Sequence, residues 1–196
     1  VKRVTFDKTG TLTVGVPKVV LAQSVVDAYS NQEIYAFAAS AEKKSEHPLG
    51  KAIIRCFKSD IGEEIADAGE FTMIPGQGVK ADINGRTVCA GNDKLMMKEK
   101  IQITEQVKNF AKKQIEKGTS IIYVAVNGTL CGLLALADSL RDESADMIKR
   151  LGEIGIVPVL ITGDNKEAAN QIAGEVGISD VHANCLPEDK LEIIDT

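Results

Sequence analysis

Short apolar runs near the two ends of the chain predict strands that are buried on both faces. Residues 1–6 and 156–161 consist mainly of aliphatic and β-branched side chains, a pattern typical of strands in parallel sheets. After residue 138, predicted strands and helices alternate, with helices at 144–151, 167–176 and 188–194 and a short strand at 181–183. Such alternation indicates crossover helices. We therefore expect residues 1–6 and 156–161 to lie in one doubly wound α/β sheet.

The middle of the chain follows a different pattern. A β-branched run predicts a strand over 18–26, and later segments at 70–88 and 121–137 alternate around the hairpin dipeptides Asn84-Gly85 and Asn127-Gly128. Helical spacing is predicted over 31–44, from Pro48 onward, after Gly91-Asn92 and over 104–117. Mostly antiparallel strands mixed with helices indicate an α+β domain.

The change of pattern predicts how the chain divides into domains. Residues 1–15 and 138–196 would form one discontinuous α/β domain, and residues 16–137 would be inserted into it as a separate α+β domain. The length of 196 residues is sufficient for two small domains.

Composition narrows the functional classes. The chain carries 23 basic and 28 acidic residues without a basic block, so we expect no nucleic-acid partner. The longest apolar runs are shorter than the ~20 residues of a membrane helix. The four cysteines are more than thirty residues apart, which favours reduced thiols over a disulfide framework.

The first candidate site follows the first predicted strand. That strand ends at Asp7, whose carboxylate is a candidate nucleophile, and the next residues are Lys8, Thr9 and Gly10. An ammonium group, hydroxyl groups and a glycine that lets backbone N–H groups approach an anion all suit phosphate chemistry. The alternative is a turn in which Asp7 only caps the following segment.

A second set of residues is expected to join Asp7. Thr162, Gly163 and Asp164 directly follow the strand at 156–161, and ligands of doubly wound sheets bind at the carboxyl ends of the strands. The Thr162 hydroxyl and the Lys190 ammonium can hold phosphoryl oxygens while Asp7 attacks phosphorus, and Mg²⁺ would neutralise the negative charge. Taken separately, these loop residues are equally consistent with a helix cap, and Lys190 with a surface lysine.

The run from Asp7 to Thr13, Asp-Lys-Thr-Gly-Thr-Leu-Thr, resembles the phosphorylation signature of P-type ATPases. The resemblance implies a haloacid-dehalogenase-like fold in which Asp7 accepts the γ-phosphoryl group of ATP. It also implies that the Asp7 carboxylate and the Thr9 carbonyl coordinate Mg²⁺. Phosphatases of the haloacid-dehalogenase type have a second aspartate where this chain has Thr9, so we expect slow hydrolysis of the aspartyl phosphate.

The inserted domain offers a nucleotide site. Ser-Glu-His-Pro-Leu-Gly at 45–50, Pro-Gly-Gln-Gly-Val at 75–79 and Gly91-Asn92 together resemble the nucleotide-binding domain of heavy-metal-transporting P-type ATPases. The resemblance implies that the ATP site is lined by Glu46, His47, Gly76, Gly78 and Asn92. His47 alone would more simply be a cap or core histidine. The stretches 45–50 and 127–138 look most like copper(I) pumps, with zinc or cadmium pumps as the alternative.

This family carries further parts that the chain does not include. They are a Gly-Asp-Gly-x-Asn-Asp loop that supplies Mg²⁺ ligands, an actuator domain, and the transmembrane helices that bind the transported metal. We therefore expect a piece from the cytoplasmic face of a membrane protein, with an intact nucleotide-binding domain and an incomplete phosphorylation domain. Two alternatives remain: a free-standing phosphatase with a cap domain, and a noncatalytic nucleotide-binding module.

Overall fold

The computed structural model describes residues 2–185, which form nine strands and six helices. The strands are β1 (Arg3–Asp7), β2 (Thr13–Ser24), β3 (Phe71–Ile74), β4 (Gly78–Ile83), β5 (Arg86–Gly91), β6 (Ser120–Val126), β7 (Thr129–Leu140), β8 (Val157–Ile161) and β9 (Asp180–His182). The helices are α1 (Asn31–Glu42), α2 (Pro48–Asp60), α3 (Asp93–Lys98), α4 (Glu105–Glu116), α5 (Ser144–Glu153) and α6 (Lys166–Val176). In this part of the chain no helix has the length and apolar character to cross a membrane.

The chain separates into two compact units. The first contains the described residues up to Val16, Ile115–Thr119 and those from Asp138 onward. The second contains Pro17–Gln114 and Ser120–Ala137. Segment 115–119 thus groups with the first unit, although it falls inside the predicted insertion.

The first unit is built on a parallel sheet with the order β1-β8-β9. Phe6 lies opposite Leu160, and both belong to a core that includes Ile148 of α5 and Ala173 of α6. Of the three strands, β8 is the most apolar, and its last three residues are buried beneath the helices that cover the sheet. The predicted pairing of the first strand with the strand before Thr162 is therefore confirmed.

The second unit is built on a six-stranded sheet with the order β2-β7-β6-β5-β4-β3. Alternate residues of its strands enter two different cores, because successive side chains point to opposite faces. Val88 and Val124 pack in the core that contains α1 and α2. Cys89 and Tyr123 pack in the core that contains α3 and α4. Helices on both faces thus bury an antiparallel sheet.

Local signals account for most element boundaries. Ser30 and Glu33 form a reciprocal capping box at the start of α1, as expected for a serine three residues before a glutamate. The prediction for β2 was wrong at its start, because the strand begins at Thr13 and runs through Pro17. Pro17 is tolerated there because β2 is an edge strand of its sheet. The helix predicted at 188–194 lies outside the described residues.

Candidate functional site

Asp7 is the last residue of β1 and lies opposite Ile161, the last residue of β8. The residue is exposed, so the sheet presents its carboxylate at the carboxyl edge, where doubly wound folds bind ligands. The chain then enters an irregular turn over Lys8–Leu12, in which Gly10 has a φ of 77°.

Thr13 is the hydrogen-bonding centre of this turn. Its side chain is fully buried, and its Oγ1 accepts a hydrogen bond from the Gly10 N–H at 3.2 Å. The same oxygen lies 3.1 Å from the Lys8 carbonyl oxygen and 2.5 Å from Asp138 Oδ2. The hydroxyl therefore links Lys8 and Gly10 of the turn to Asp138.

Segment 138–144 holds the turn from a distant part of the chain. Asp138 accepts a hydrogen bond from the Gly15 N–H at 3.0 Å. Arg141 donates to the carbonyl oxygens of Thr11 and Gly10, each at 3.1 Å. The buried Ser144 hydroxyl donates to the Leu12 carbonyl oxygen at 2.8 Å. We call residues 138–144 the anchoring segment, because it satisfies backbone groups of the turn that would otherwise lack partners.

Sequence reasoning missed the anchoring segment as part of the site. In the sequence, Asp138 marks the change of pattern and ends the stretch that resembles copper pumps, and neither feature indicates a contact with the turn. Its spacing to Arg141, an acid followed three residues later by a base, is a common surface pattern. The roles of both residues follow from contacts with a turn more than 120 positions away.

The loop after β8 meets the loop after β1, as the sequence predicts. Lys8 Nζ pairs with Asp164 Oδ2. Thr162 is buried, and its Oγ1 accepts a hydrogen bond from the Asp164 N–H at 3.1 Å. A side chain at Gly163 would make only ordinary contact, 3.4 Å from the Cys185 carbonyl oxygen. The proposed roles of these residues stay predictions, and Lys190 lies outside the described residues.

The predicted Mg²⁺ ligands, the Asp7 carboxylate and the Thr9 carbonyl, are oxygens of the correct chemical class. Mg²⁺ requires near-octahedral oxygen coordination, whereas the nearby Asp164 carboxylate is paired with Lys8. Residues 2–185 contain no group of three or more His, Cys, Asp or Glu side chains that could hold a metal ion. These residues alone therefore do not fit a complete Mg²⁺ site, and we route no chemical step through the ion.

The second unit contains a cavity of about 320 Å³, at the small end of the range for ligand sites. Its apolar wall includes Leu49, Ile74, Val79, Ile121 and Ile122. Its polar lining includes Glu42, Ser45, His47, Gln77 and Asn92. Among the described residues that line it, none is Lys or Arg. The cavity thus suits a flat, largely apolar ring with a few polar edges better than a polyphosphate.

His47 lines the cavity and also caps α2. Its Nδ1 accepts a hydrogen bond from the Leu49 N–H at 3.2 Å, and Pro48 occupies the first helical position. A neutral ring whose Nδ1 accepts must carry its proton on Nε2. His47 therefore caps α2 through Nδ1 and still has an Nε2–H group to donate. The residue can thus be both a helix cap and a nucleotide ligand.

The predicted glycines and Asn92 form one connected turn at the cavity wall. Asn92 Nδ2 donates to the Gly76 carbonyl oxygen at 2.9 Å, and its Oδ1 accepts from the Leu95 N–H at 3.1 Å. Gly78 lies opposite Gly91 in the β4–β5 pair, and a Cβ on Gly78 would come within 2.2 Å of the Ala90 carbonyl oxygen. Gly78 is therefore required by the close approach of the two strands.

The structure does not place Glu46 in the cavity lining. Its side chain is 82% exposed and pairs with Lys51, because both lie on the solvent side of the start of α2. The carboxylate that lines the cavity belongs to Glu42, which is only 5% exposed. The sequence indicates the burial of Glu42, because Ile34, Ala38 and Glu42 are four residues apart and therefore lie on one face of a helix.

The environment of Glu42 is unusual for a carboxyl group. Burial raises its pKa, and a hydrogen bond from the Ser45 side chain only partly offsets that effect. Glu42 Oε2 is buried, and within residues 2–185 it has no hydrogen-bond partner. Buried acceptors without partners are costly, and in native proteins they call for an explanation such as a ligand.

Comparison with known proteins identifies relatives of the whole chain. The family model of haloacid dehalogenase-like hydrolases matches residues 1–196. The copper-transporting ATPase RAN1 of Arabidopsis thaliana is 36% identical, and the alignment covers 99% of this chain and 21% of that protein. A cadmium-transporting ATPase of Staphylococcus aureus is 34% identical, over 99% of this chain and 27% of that protein.

A solved structure gives the same result. The crystal structure of a zinc-transporting PIB-type ATPase in its E2.Pi state matches with a TM-score of 0.85 and 34% identity, over 99% of this chain and 31% of that chain. The chain therefore spans between about a fifth and a third of the length of these relatives.

Proposed function

Because the chain belongs to the haloacid dehalogenase-like hydrolase family, we propose that it is the ATP-binding and phosphoacceptor portion of a P-type ATPase. The observation that carries the proposal is the position of Asp7 at the carboxyl edge of the parallel sheet, with Lys8 and Asp164 joining the two strand-end loops beside it. An enzyme of this class hydrolyses ATP and couples hydrolysis to the movement of a metal ion across a membrane.

The proposed chemical step takes place at Asp7. An oxygen of its carboxylate attacks the γ-phosphorus of ATP, the bond between that phosphorus and the bridging oxygen breaks, and ADP leaves with the bonding electrons. The Thr162 hydroxyl and the Lys190 ammonium would stabilise charge on the equatorial oxygens, and Lys8 would add positive charge beside Asp7. Thr9 cannot act as a general base, so the acyl phosphate would persist rather than hydrolyse at once.

The nucleotide would bind through its base in the cavity of the second unit. The aliphatic wall would contact the faces of the ring, while Glu42 and the Nε2–H group of His47 would meet its polar edges. Because the described lining offers no Lys or Arg, the triphosphate would extend out of the cavity. Mg²⁺ would accompany the phosphates, with the predicted contributions of Asp7 and Thr9 supplemented by other oxygen ligands.

The transported ion is proposed from resemblance alone. Relatives named for copper, cadmium and zinc transport are 34–38% identical to this chain, so overall identity does not separate the metals. We propose copper from the motif resemblance, with zinc or cadmium second. The ion would bind transmembrane helices outside this chain, an actuator domain would be a further partner, and the chain would lie at the cytoplasmic face of the membrane.

The chain provides its own control for a test of nucleotide binding. It contains two histidines, His47 in the cavity of the second unit and His182 in the first unit. Because His182 adjoins Thr162, where the phosphates would approach, the control is cleanest with adenosine. We expect adenosine to shift the imidazole NMR signals of His47 while those of His182 stay in place. An unchanged His47 signal at millimolar ATP would contradict the nucleotide site.

The phosphoacceptor is tested in a protein that includes the flanking segments. We expect incubation with γ-labelled ATP to give an acid-stable, hydroxylamine-labile label that Asp7→Asn abolishes. A label that survives this substitution would place the phosphoryl group elsewhere. Steady hydrolysis of small phosphate esters, lost in Asp7→Asn, would instead support the free-standing phosphatase that the family name also permits.

A further inference from the structure

Gly50 occupies the third position of α2, in the first turn of the helix, and glycine has more conformational freedom to lose there than any other residue. The residue is buried and helical, so no left-handed backbone conformation accounts for it. The reason for a glycine at position 50 therefore lies in the side chains that surround it.

That space is occupied by the Glu42 carboxyl group. A Cβ on Gly50 would lie 2.3 Å from Glu42 Oε2, 3.0 Å from Glu42 Cδ and 2.9 Å from Ser45 Oγ. Contacts this short do not occur between a Cβ and other heavy atoms, so even a methyl group at Gly50 would displace the carboxyl group. Glu42 and Ser45 both line the cavity. Gly50 lies behind them, and because it has no side chain, the carboxyl group has space there.

We propose that Gly50 is a positioning residue of the nucleotide site: its lack of a side chain forms the notch that holds the Glu42 carboxyl group at the cavity wall. This inference rests on the proposed nucleotide binding. The notch holds the buried Oε2 atom of Glu42, which has no hydrogen-bond partner within residues 2–185. It thereby fixes the carboxyl group of a residue that lines the cavity, where that group can accept a hydrogen bond from an N–H or O–H group of a nucleoside.

The experiment compares Gly50→Ala, Glu42→Ala and the double variant of the full chain. ATP affinity is measured by calorimetry and stability by thermal denaturation. We expect each single variant to weaken ATP binding about tenfold or more, the effect of losing a hydrogen bond to a charged group. In the Glu42→Ala background, Gly50→Ala should change affinity by less than about twofold.

Stability supplies an independent readout. Gly50→Ala should lower the melting temperature, and Glu42→Ala should restore it, because the new methyl group then fits the vacated space. Gly174→Ala is the matched control, since it also lies in a helix but its Cβ would meet nothing within 4 Å. It should leave ATP affinity nearly unchanged and raise the melting temperature slightly, because alanine is the better helix former.

The outcomes separate the two hypotheses. Additive effects of Gly50→Ala and Glu42→Ala on affinity or on melting temperature would overturn the role of Gly50. If Gly50→Ala does not fold, recovery in the double variant supports the notch and continued failure refutes it. If the unaltered chain binds no ATP while the stability effects still compensate, the geometry of the notch stands and the proposed nucleotide site fails.

Discussion

Lys8 and Asp164 form an ion pair that joins the loop after β1 to the loop after β8. The Lys8 side chain is only 14% exposed and that of Asp164 is 35% exposed, so water screens this pair less than a surface pair. Each residue follows the end of a strand in the same sheet. The pair therefore connects the predicted nucleophile loop with the predicted phosphate-binding loop.

Removing the Lys8 charge should destabilise the first unit. Lys8→Met keeps the aliphatic stem but leaves the partly buried Asp164 carboxylate without its cation, at an expected cost of about 1–3 kcal/mol. Lys51→Met is the control, because its pair with Glu46 is exposed and should contribute less than about 1 kcal/mol. Urea denaturation measures both, and equal losses would contradict the argument.

Weakening the anchoring segment should loosen the turn that follows Asp7. Ser144→Ala removes the hydrogen bond to the Leu12 carbonyl oxygen inside the core, with an expected cost of about 1–2 kcal/mol. Ser59→Ala, at an exposed position of α2, should be nearly neutral. Hydrogen exchange should show faster exchange of the Gly10 amide in Ser144→Ala alone, and unchanged protection would argue against anchoring.

The buried Glu42 should make stability depend on pH. Its pKa is raised in the folded state, so between the ordinary carboxyl pKa and the raised pKa the folded protein binds one more proton than the unfolded chain. Stability should therefore fall as pH rises through this window and then remain level. Glu42→Gln, which does not titrate, should remove that decline from urea midpoints measured at pH 4 to 8. An unchanged pH profile would show that another group causes it.

Two substitutions should distinguish the capping role of His47 from its role in ligand binding. His47→Asn keeps an acceptor at the helix N-cap, whereas His47→Ala loses it at a cost of about 1 kcal/mol. Both variants lack the Nε2–H donor, so both should bind ATP more weakly than the unaltered chain. Calorimetry for affinity and thermal melting for stability test this division. If His47→Asn binds ATP with full affinity, the imidazole serves only to cap the helix.

Local chemistry explains how much of the fold was predictable. The Asn-Gly dipeptides lie where predicted, with φ values of 53° and 77° at Asn84 and Gly85, as a type I′ hairpin turn requires. The strands at 3–7 and 157–161 pair in parallel, as the alternation of strands and helices after residue 138 predicts. In each case a short stretch of sequence contains the physical cause.

The parts of the site that sequence reasoning missed depend on distant contacts. Glu46 is adjacent to His47, yet the turn into α2 directs it to solvent, while Glu42 reaches the cavity from the buried face of α1. Arg141 donates hydrogen bonds to backbone carbonyl oxygens. Every residue has such an oxygen, so the sequence does not indicate which ones are bound. The proximity of the loops that carry Asp7 and Asp164 is predictable, because the ends of neighbouring parallel strands must lie together.

The contact between Gly50 and Glu42 also limits how this sequence can evolve. A methyl group at Gly50 and the carboxyl group of Glu42 would occupy the same volume. The order in which the two positions mutate therefore matters. A lineage that first shortens Glu42 can later accept a side chain at Gly50, whereas the reverse order passes through a damaged protein. Once position 50 carries a side chain, a glutamate restored at position 42 must place its carboxyl group elsewhere, because the methyl group occupies the former position of Oε2.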